Sequence, residues 1–110
     1  QYFKPQITGD FTLEPKVFSP NMDGYHDVLQ IEYAFSSSNN IVSIYIFNGD
    51  GTLIKTLQKN VSAPLEGYFI WDGSDENGAI ANSGIYIVVL NYYNDNGEGG
   101  QLKQTCVLSL

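Results

Sequence analysis

Apolar side chains in this chain recur at every second position, in runs too short to make helices. In VLQIEYAF (residues 28–35) Leu29, Ile31, Tyr33 and Phe35 fall on one face of an extended strand. In IVSIYIF (residues 41–47) Val42, Ile44 and Ile46 do the same. No segment of about ten residues or more keeps a 3.6-residue apolar period, which is what a helix with a buried face needs. Strands with one committed inner face need a second sheet to cover them, so the alternation points to two packed sheets.

The punctuation agrees. NGDG at 48–51 is a hairpin signal, because Asn-Gly and Asp-Gly accept the positive φ angles of turns that match strand twist. SSSNN (36–40), SDENGAIANSG (74–84) and NDNGEGG (94–100) are polar and rich in turn formers. Strands are expected near Thr12 to Phe18, Val28 to Phe35, Ile41 to Phe47, Leu53 to Gln58, Gly67 to Trp71, Ile85 to Tyr93 and Leu102 to Leu108. About seven short strands in 110 residues give an all-β fold, an immunoglobulin-like antiparallel β-sandwich. Residues 1–10 read as a linker or frayed start and residues 11–110 as the domain. Ile31, Ile44, Ile46, Trp71, Ile85, Ile87 and Val89 are expected to be at least partly buried, with Trp71 closing one end.

Charge narrows the partners. Five Lys plus Arg against twelve Asp plus Glu leave a net charge of −7, which repels phosphate backbones and anionic lipid, so nucleic acid is not an expected partner. No run reaches the roughly 18 apolar residues of a membrane span, and direct membrane insertion is not expected. Residues 1–10 lack the basic and apolar regions of a signal peptide, so the signal of an exported parent is expected upstream. Cys106 is the sole cysteine, so no internal disulfide forms, and its place in TCVLSL suits a buried, inert thiol. A monomer is expected.

The stretch FSPNMDGYHD (18–27) has two readings. Oxygen ligands at alternate positions around a glycine describe the front of an EF-hand-type calcium loop, with Ser19, Asn21, Asp23, the Tyr25 carbonyl and Asp27 as ligands. The twelfth position would be Gln30, which cannot supply a bidentate carboxylate, so any such site is a weak one. The second reading is a structural connection, with Asn21 and Asp23 bonding their own backbone and Gly24 at positive φ. No cofactor is required in either case.

Catalysis finds little support. His26 is the sole histidine and has no nucleophile at a recognised spacing. Asp72, Asp75 and Glu76 sit in one turn-rich loop, where two carboxylates are not set across a cleft as glycoside hydrolysis requires, and Asp72 is expected to fix the corner through backbone amides. No catalytic or cofactor-binding residue is assigned.

Three motifs in order, FSPNMDGYHD, VSIYIFNGDGTLIKTL and GYFIWDGSDENGAIANSGIYIVVL, resemble the C-terminal immunoglobulin-like domains of secreted Bacteroidetes proteins. These form the gliding-motility-associated and type IX secretion C-terminal group, also accompany lamin-tail-like domains, and are similar to the Ig-like domain of flagellar hook-capping proteins. The resemblance implies a seven-stranded sandwich without enzymatic activity, serving secretion sorting, cell-surface attachment or interdomain packing in an exported protein. It implies as partners an upstream domain of the parent or the secretion and surface machinery. Sorting versions commonly finish in a basic tail, whereas this sequence runs CVLSL after Lys103, which keeps the packing role beside sorting. A carbohydrate-binding sandwich is the alternative, with Tyr45, Tyr68, Tyr92 and Tyr93 as available stacking rings.

Overall fold

The computed structural model describes residues 9–21, 24, 26–36, 39–95, 97 and 99–110. Within them run eight strands: β1 (Gly9–Glu14), β2 (Val17–Phe18), β3 (Leu29–Phe35), β4 (Asn40–Asn48), β5 (Leu53–Ala63), β6 (Glu66–Trp71), β7 (Gly84–Asn94) and β8 (Gly99–Leu108). They form a three-stranded sheet, β1-β3-β6, packed on a five-stranded sheet, β2-β8-β7-β4-β5. The pairings are antiparallel except that of β2 with β8, which is parallel. Among the described residues no helix is long and apolar enough to cross a membrane.

Between the sheets lies one core. Leu13, Phe18, Leu29, Ile31, Val42, Ile44, Ile46, Trp71, Val88, Leu90 and Leu108 are wholly inaccessible to solvent. The strict alternation of β3, buried at Leu29, Ile31, Tyr33 and Phe35, sets the register of the small sheet, because a slip of one residue would turn all four into solvent. Phe35 and Tyr92 (ring centroids 4.9 Å apart) and Tyr33 and Phe69 (5.6 Å) fill the far end of the core with aromatic contacts.

Three expectations are corrected. The strand expected from Thr12 to Phe18 is two strands, divided at Pro15, whose preceding peptide bond is cis. Proline lacks the N–H that a sheet ladder requires, and here the chain leaves β3 and crosses to β8. There Val107 N donates to Lys16 O (2.7 Å) and Ser109 N to Phe18 O (2.9 Å). In addition β1 begins at Gly9, so Gly9 and Asp10, read as linker, pair with Phe35 and Ala34.

The second correction concerns β7. Ile85 was expected inside and is 59% exposed, while Tyr86, Val88, Leu90 and Tyr92 face the core. IYIVVLNYY is apolar on both faces, so alternation cannot tell them apart. Third, β5 continues past Gln58 to Ala63 through register shifts against β4, and Val61 and Ala63 still pack on the core. Its polar composition hid it, as befits an edge strand, where charge and bulges discourage pairing with another chain.

Candidate functional site

The three sequence motifs meet at one end of the sandwich. Phe18, Trp71 and Tyr86 form a chain of rings, with Trp71 5.4 Å from each of the other two. Trp71 is fully buried as expected, and its indole N–H donates to Ser74 O (2.9 Å), which satisfies the one polar atom such a ring carries. Tyr86 donates its hydroxyl to Asn82 O (2.6 Å), tying β7 to the loop that precedes it. Gly73 lies against Pro20 from the opening loop and Leu108 from β8.

The acidic residues of WDGSDENG are engaged in holding this corner. Asp72 Oδ1 accepts from the Ser74 amide (3.0 Å) and the Ser74 hydroxyl (2.6 Å). That hydroxyl, opposed by partial burial and helped by the Ser74 amide and Lys55, keeps the Asp72 carboxyl below its ordinary value. Lys55 Nζ donates to Ser74 Oγ (2.9 Å). Asp75 Oδ1 accepts from the amides of Asn77 (2.9 Å) and Ala79 (3.0 Å). Glu76 reaches the open edge of β5: Glu76 N donates to Ile54 O (3.2 Å) and Glu76 Oε1 accepts from Thr56 N (3.3 Å). It stands in for a neighbouring strand at the start of that edge.

The opening loop is closed by its own backbone, Ser19 N donating to His26 O (2.8 Å) and Asn21 N to Ser19 O (2.8 Å). Asp27 Oδ2 accepts from Gly24 N (2.7 Å), and His26, exposed, takes a left-handed φ of 53°. Of the expected calcium ligands, Ser19, Asn21 and Asp27 are placed in this loop, while Asp23 and Tyr25 lie outside the described residues. Among the described residues no three His, Cys, Asp or Glu side chains gather as a metal group. A cavity of about 460 Å³ separates the opening loop from the WDG corner and is lined by Pro20, Gly24, Asp27, Val28, Asp72 and Ile80. At the same end Cys106 is buried, and burial pushes its thiol up to about 11, so it is protonated and unreactive at neutral pH.

A second feature is the outer face of the five-stranded sheet, which the sequence reading missed. Cross-strand partners lie on the same face, so the register gives it row by row. Val17, Val107 and Ile85 make the first row, and Thr105, Ile87, Phe47 and Leu53 the second. Lys103, Val89, Tyr45 and Thr56 make the third, and Gln101, Asn91 and Ser43 the fourth, where Asn60 bonds to Ser43. Gly99, Tyr93, Ile41 and Ser62 close the face. Lys103 is the only charged side chain in these rows. Six of the seven residues in the first two rows are apolar, and Val17, Ile85 and Leu53 are exposed. The signal that could have found this face is the same doubled apolar pattern of IYIVVLNYY that misled the choice of inner face.

The outer face of the small sheet is different. It carries Asp10, Glu14, Glu32 and Glu66 together with exposed Tyr68 and Ile70. The negative charge of the chain is thus concentrated away from the larger sheet's outer face.

Comparison with known proteins agrees with this architecture. The profile of the CHU_C Type IX secretion signal domain matches residues 12–108. A solved structure is similar at a TM-score of 0.56 and 18% identity, over 91% of this chain and 11% of that one. That structure is of PorZ, an essential bacterial surface component of the type-IX secretion system of Porphyromonas gingivalis. The likeness extends to the fold, and the chain spans about a ninth of the length of that protein. A search of curated proteins found no match. Because the profile covers nearly all of the sandwich, the chain belongs to the CHU_C type IX secretion signal domain family, a family of secretion signals rather than of enzymes, and the protein that carries it is exported to the cell surface or beyond.

Proposed function

We propose that this domain works as a sorting module that components of the export and surface machinery recognise through the apolar end of the larger sheet's outer face. The observation that carries this reading is the pair of rows from Val17 to Leu53, an uncharged, apolar surface across all five strands of a chain with net charge −7. Apolar patches of a few hundred Å² left open on a soluble domain mark contact surfaces. At roughly five strands of about 4.8 Å by two rows of about 7 Å, the patch falls short of the approximately 800 Å² per partner of stable complexes. That size suits the transient encounter a sorting step needs, since the cargo has to be released.

The Phe18–Trp71–Tyr86 end supports the patch from beneath, for Val17 and Ile85 are the sequence neighbours of two of those rings. The buried rings and the turn hydrogen bonds of the motifs are then scaffolding, and the recognised groups are the exposed side chains next to them.

The test is a reporter fused to residues 1–110, expressed in a host with a type IX system and in the same host lacking it. Export or surface retention is expected only in the first. Ile85→Asp and Leu53→Asp, at exposed positions, should reduce export while leaving the melting temperature of the purified domain within a few degrees. Equal distribution of the reporter with and without the module in the competent host removes the sorting role. Export unaffected by both substitutions removes this face as its basis.

A further inference from the structure

We propose that the other half of this outer face, from the Tyr45 row to the Tyr93 row, is a binding surface for a neutral glycan chain. The central row sets the amides of Gln101, Asn91 and Asn60 on β8, β7 and β5, with the buried Ser43 hydroxyl on β4 holding Asn60 in place. These groups hold one another in place: Gln101 Nε2 donates to Asn91 Oδ1 (2.9 Å) and Ser43 Oγ to Asn60 Oδ1 (3.4 Å). Each amide carries two donors and an acceptor with two lone pairs, so a single internal bond leaves capacity to pair with sugar hydroxyls, which both donate and accept.

Tyrosines bracket that row. Tyr45 lies in the row before it, opposite Val89, and Tyr93 in the row after it, opposite Ile41. Val89 and Tyr93 are four residues apart on β7, about 13 Å at roughly 3.3 Å per residue, which is a span for several sugar units rather than one. Tyr93 is 49% exposed, and its neighbour across the ladder on β8 is Gly99, which has no side chain to cover the ring. A tyrosine offers an apolar face for the C–H side of a sugar and a hydroxyl at its rim.

The shape also selects the ligand. An open sheet face does not enclose a small molecule, which wants a concave pocket, but it accepts an extended polymer along or across the strands. With no carboxylate in these rows and Lys103 alone at their margin, nothing calls for a charged sugar. Of the four tyrosines that the sequence offers for stacking, the structure unites Tyr45 and Tyr93, puts Tyr92 in the core, and leaves Tyr68 among carboxylates on the opposite sheet. This inference concerns the purified chain and stands whether or not the reporter fusion is exported.

The experiment is native electrophoresis of the 110-residue chain through gels containing a mixed-linkage β-glucan, a xylan, a galactomannan or an α-mannan, with a polyuronate as the charged control. Retardation is expected in at least one neutral gel. Tyr93→Ala should weaken it about tenfold, Gln101→Ala should weaken it measurably, and Tyr68→Ala should leave it unchanged. A thermal melt checks each variant, and if Tyr93→Ala is not folded, the exposed Gln101 substitution decides. Absence of retardation in all four neutral gels, as a surface reserved for protein would give, overturns the proposal. So does retardation in the polyuronate alone, or retardation insensitive to the Tyr93 and Gln101 substitutions.

Discussion

Replacing Gly73 with alanine tests whether the opening loop, the WDG corner and β8 form one packed end. Gly73 has φ +87°, a conformation that costs a residue with a Cβ about 1 to 2 kcal/mol. A Cβ built there would stand 3.0 Å from Pro20 Cγ and 3.2 Å from Leu108 Cδ1, so the opening loop and β8 must both give way. Overpacking of this kind adds about 1 to 3 kcal/mol. Gly78 provides the control, since its φ is +85° and nothing lies within 4 Å of the corresponding Cβ. Both variants therefore carry the backbone cost, and only Gly73→Ala carries the packing cost. In a domain of this size 1 kcal/mol moves the melting temperature by about 4 to 8 °C. Gly73→Ala should melt lower than Gly78→Ala by roughly 4 to 24 °C, read by circular dichroism on the two purified variants. Equal melting temperatures would refute the argument, because the junction of Pro20, Gly73 and Leu108 would then contribute nothing.

Ile44→Ala should cost about 2 to 5 kcal/mol in urea unfolding, while Ile85→Ala should stay within about 1 kcal/mol, and the reverse order would mean that β7 faces the other way. The Cys106 thiol has its folded pKa raised from 9.0 to about 11. Its contribution is therefore complete below pH 9 and is lost as the pH rises towards 11, where the unfolded chain holds the thiolate and the folded chain does not. Wild type should lose stability across that window faster than Cys106→Ala, and parallel curves would show that the thiol is not buried; the Tyr33 phenol, which burial also pushes up, is common to both proteins, while that of Tyr86 is pushed up by burial and by Cys106 and so adds to the difference. For the opening loop the structural reading predicts no calcium dependence, and the calcium reading, with Ser19, Asn21, Asp23, the Tyr25 carbonyl and Asp27 as ligands, predicts a dissociation constant of about 10⁻⁴ to 10⁻³ M. About 10 mM calcium should then stabilise wild type by about 1.4 to 2.7 kcal/mol and Asp23→Asn by less, and a melting temperature that ignores calcium, magnesium and chelator alike leaves the loop as a structural connection.

The inner faces of β3 and β4 were legible because a two-residue period puts Leu29, Ile31, Tyr33 and Phe35, and Val42, Ile44 and Ile46, on the faces that are buried. In β3 every apolar side chain of the pattern is buried and the intervening Gln30, Glu32 and Ala34 are not, so period and burial carry the same information. Legibility was partial in β7: Ile87 and Val89 are at least partly buried as expected but Ile85 is exposed, and all three are as apolar as Val88 and Leu90. There the choice of face is made by contacts remote in sequence: Tyr86 must reach Trp71, and Tyr92 must reach Phe35. The crossing at Pro15 was missed for a related reason, since a proline in an apolar run shows that a ladder is interrupted but not which sheet receives the chain next.

The acidic motifs show the same limit from the side of function. Read along the chain, the closeness of Asp72, Asp75 and Glu76 invites a glycosidase reading that their place in one turn-rich loop argues against, but sequence spacing alone cannot name the groups that occupy these acceptors. In the fold their bonds go to Ser74, to Asn77 and Ala79, and to Thr56 on the edge of β5. A buried tryptophan at the end of an open sandwich leaves the surrounding turns with backbone amides to satisfy, and short acidic side chains in tight turns do this locally. The motif WDG is thus selected by the needs of a corner: an apolar plug, an acceptor for the next turn, and a residue able to hold positive φ against Pro20. On our proposals recognition falls instead to Val17, Leu53, Ile85 and Tyr93, whose distinction is to be apolar or aromatic and exposed on the outer face of the larger sheet.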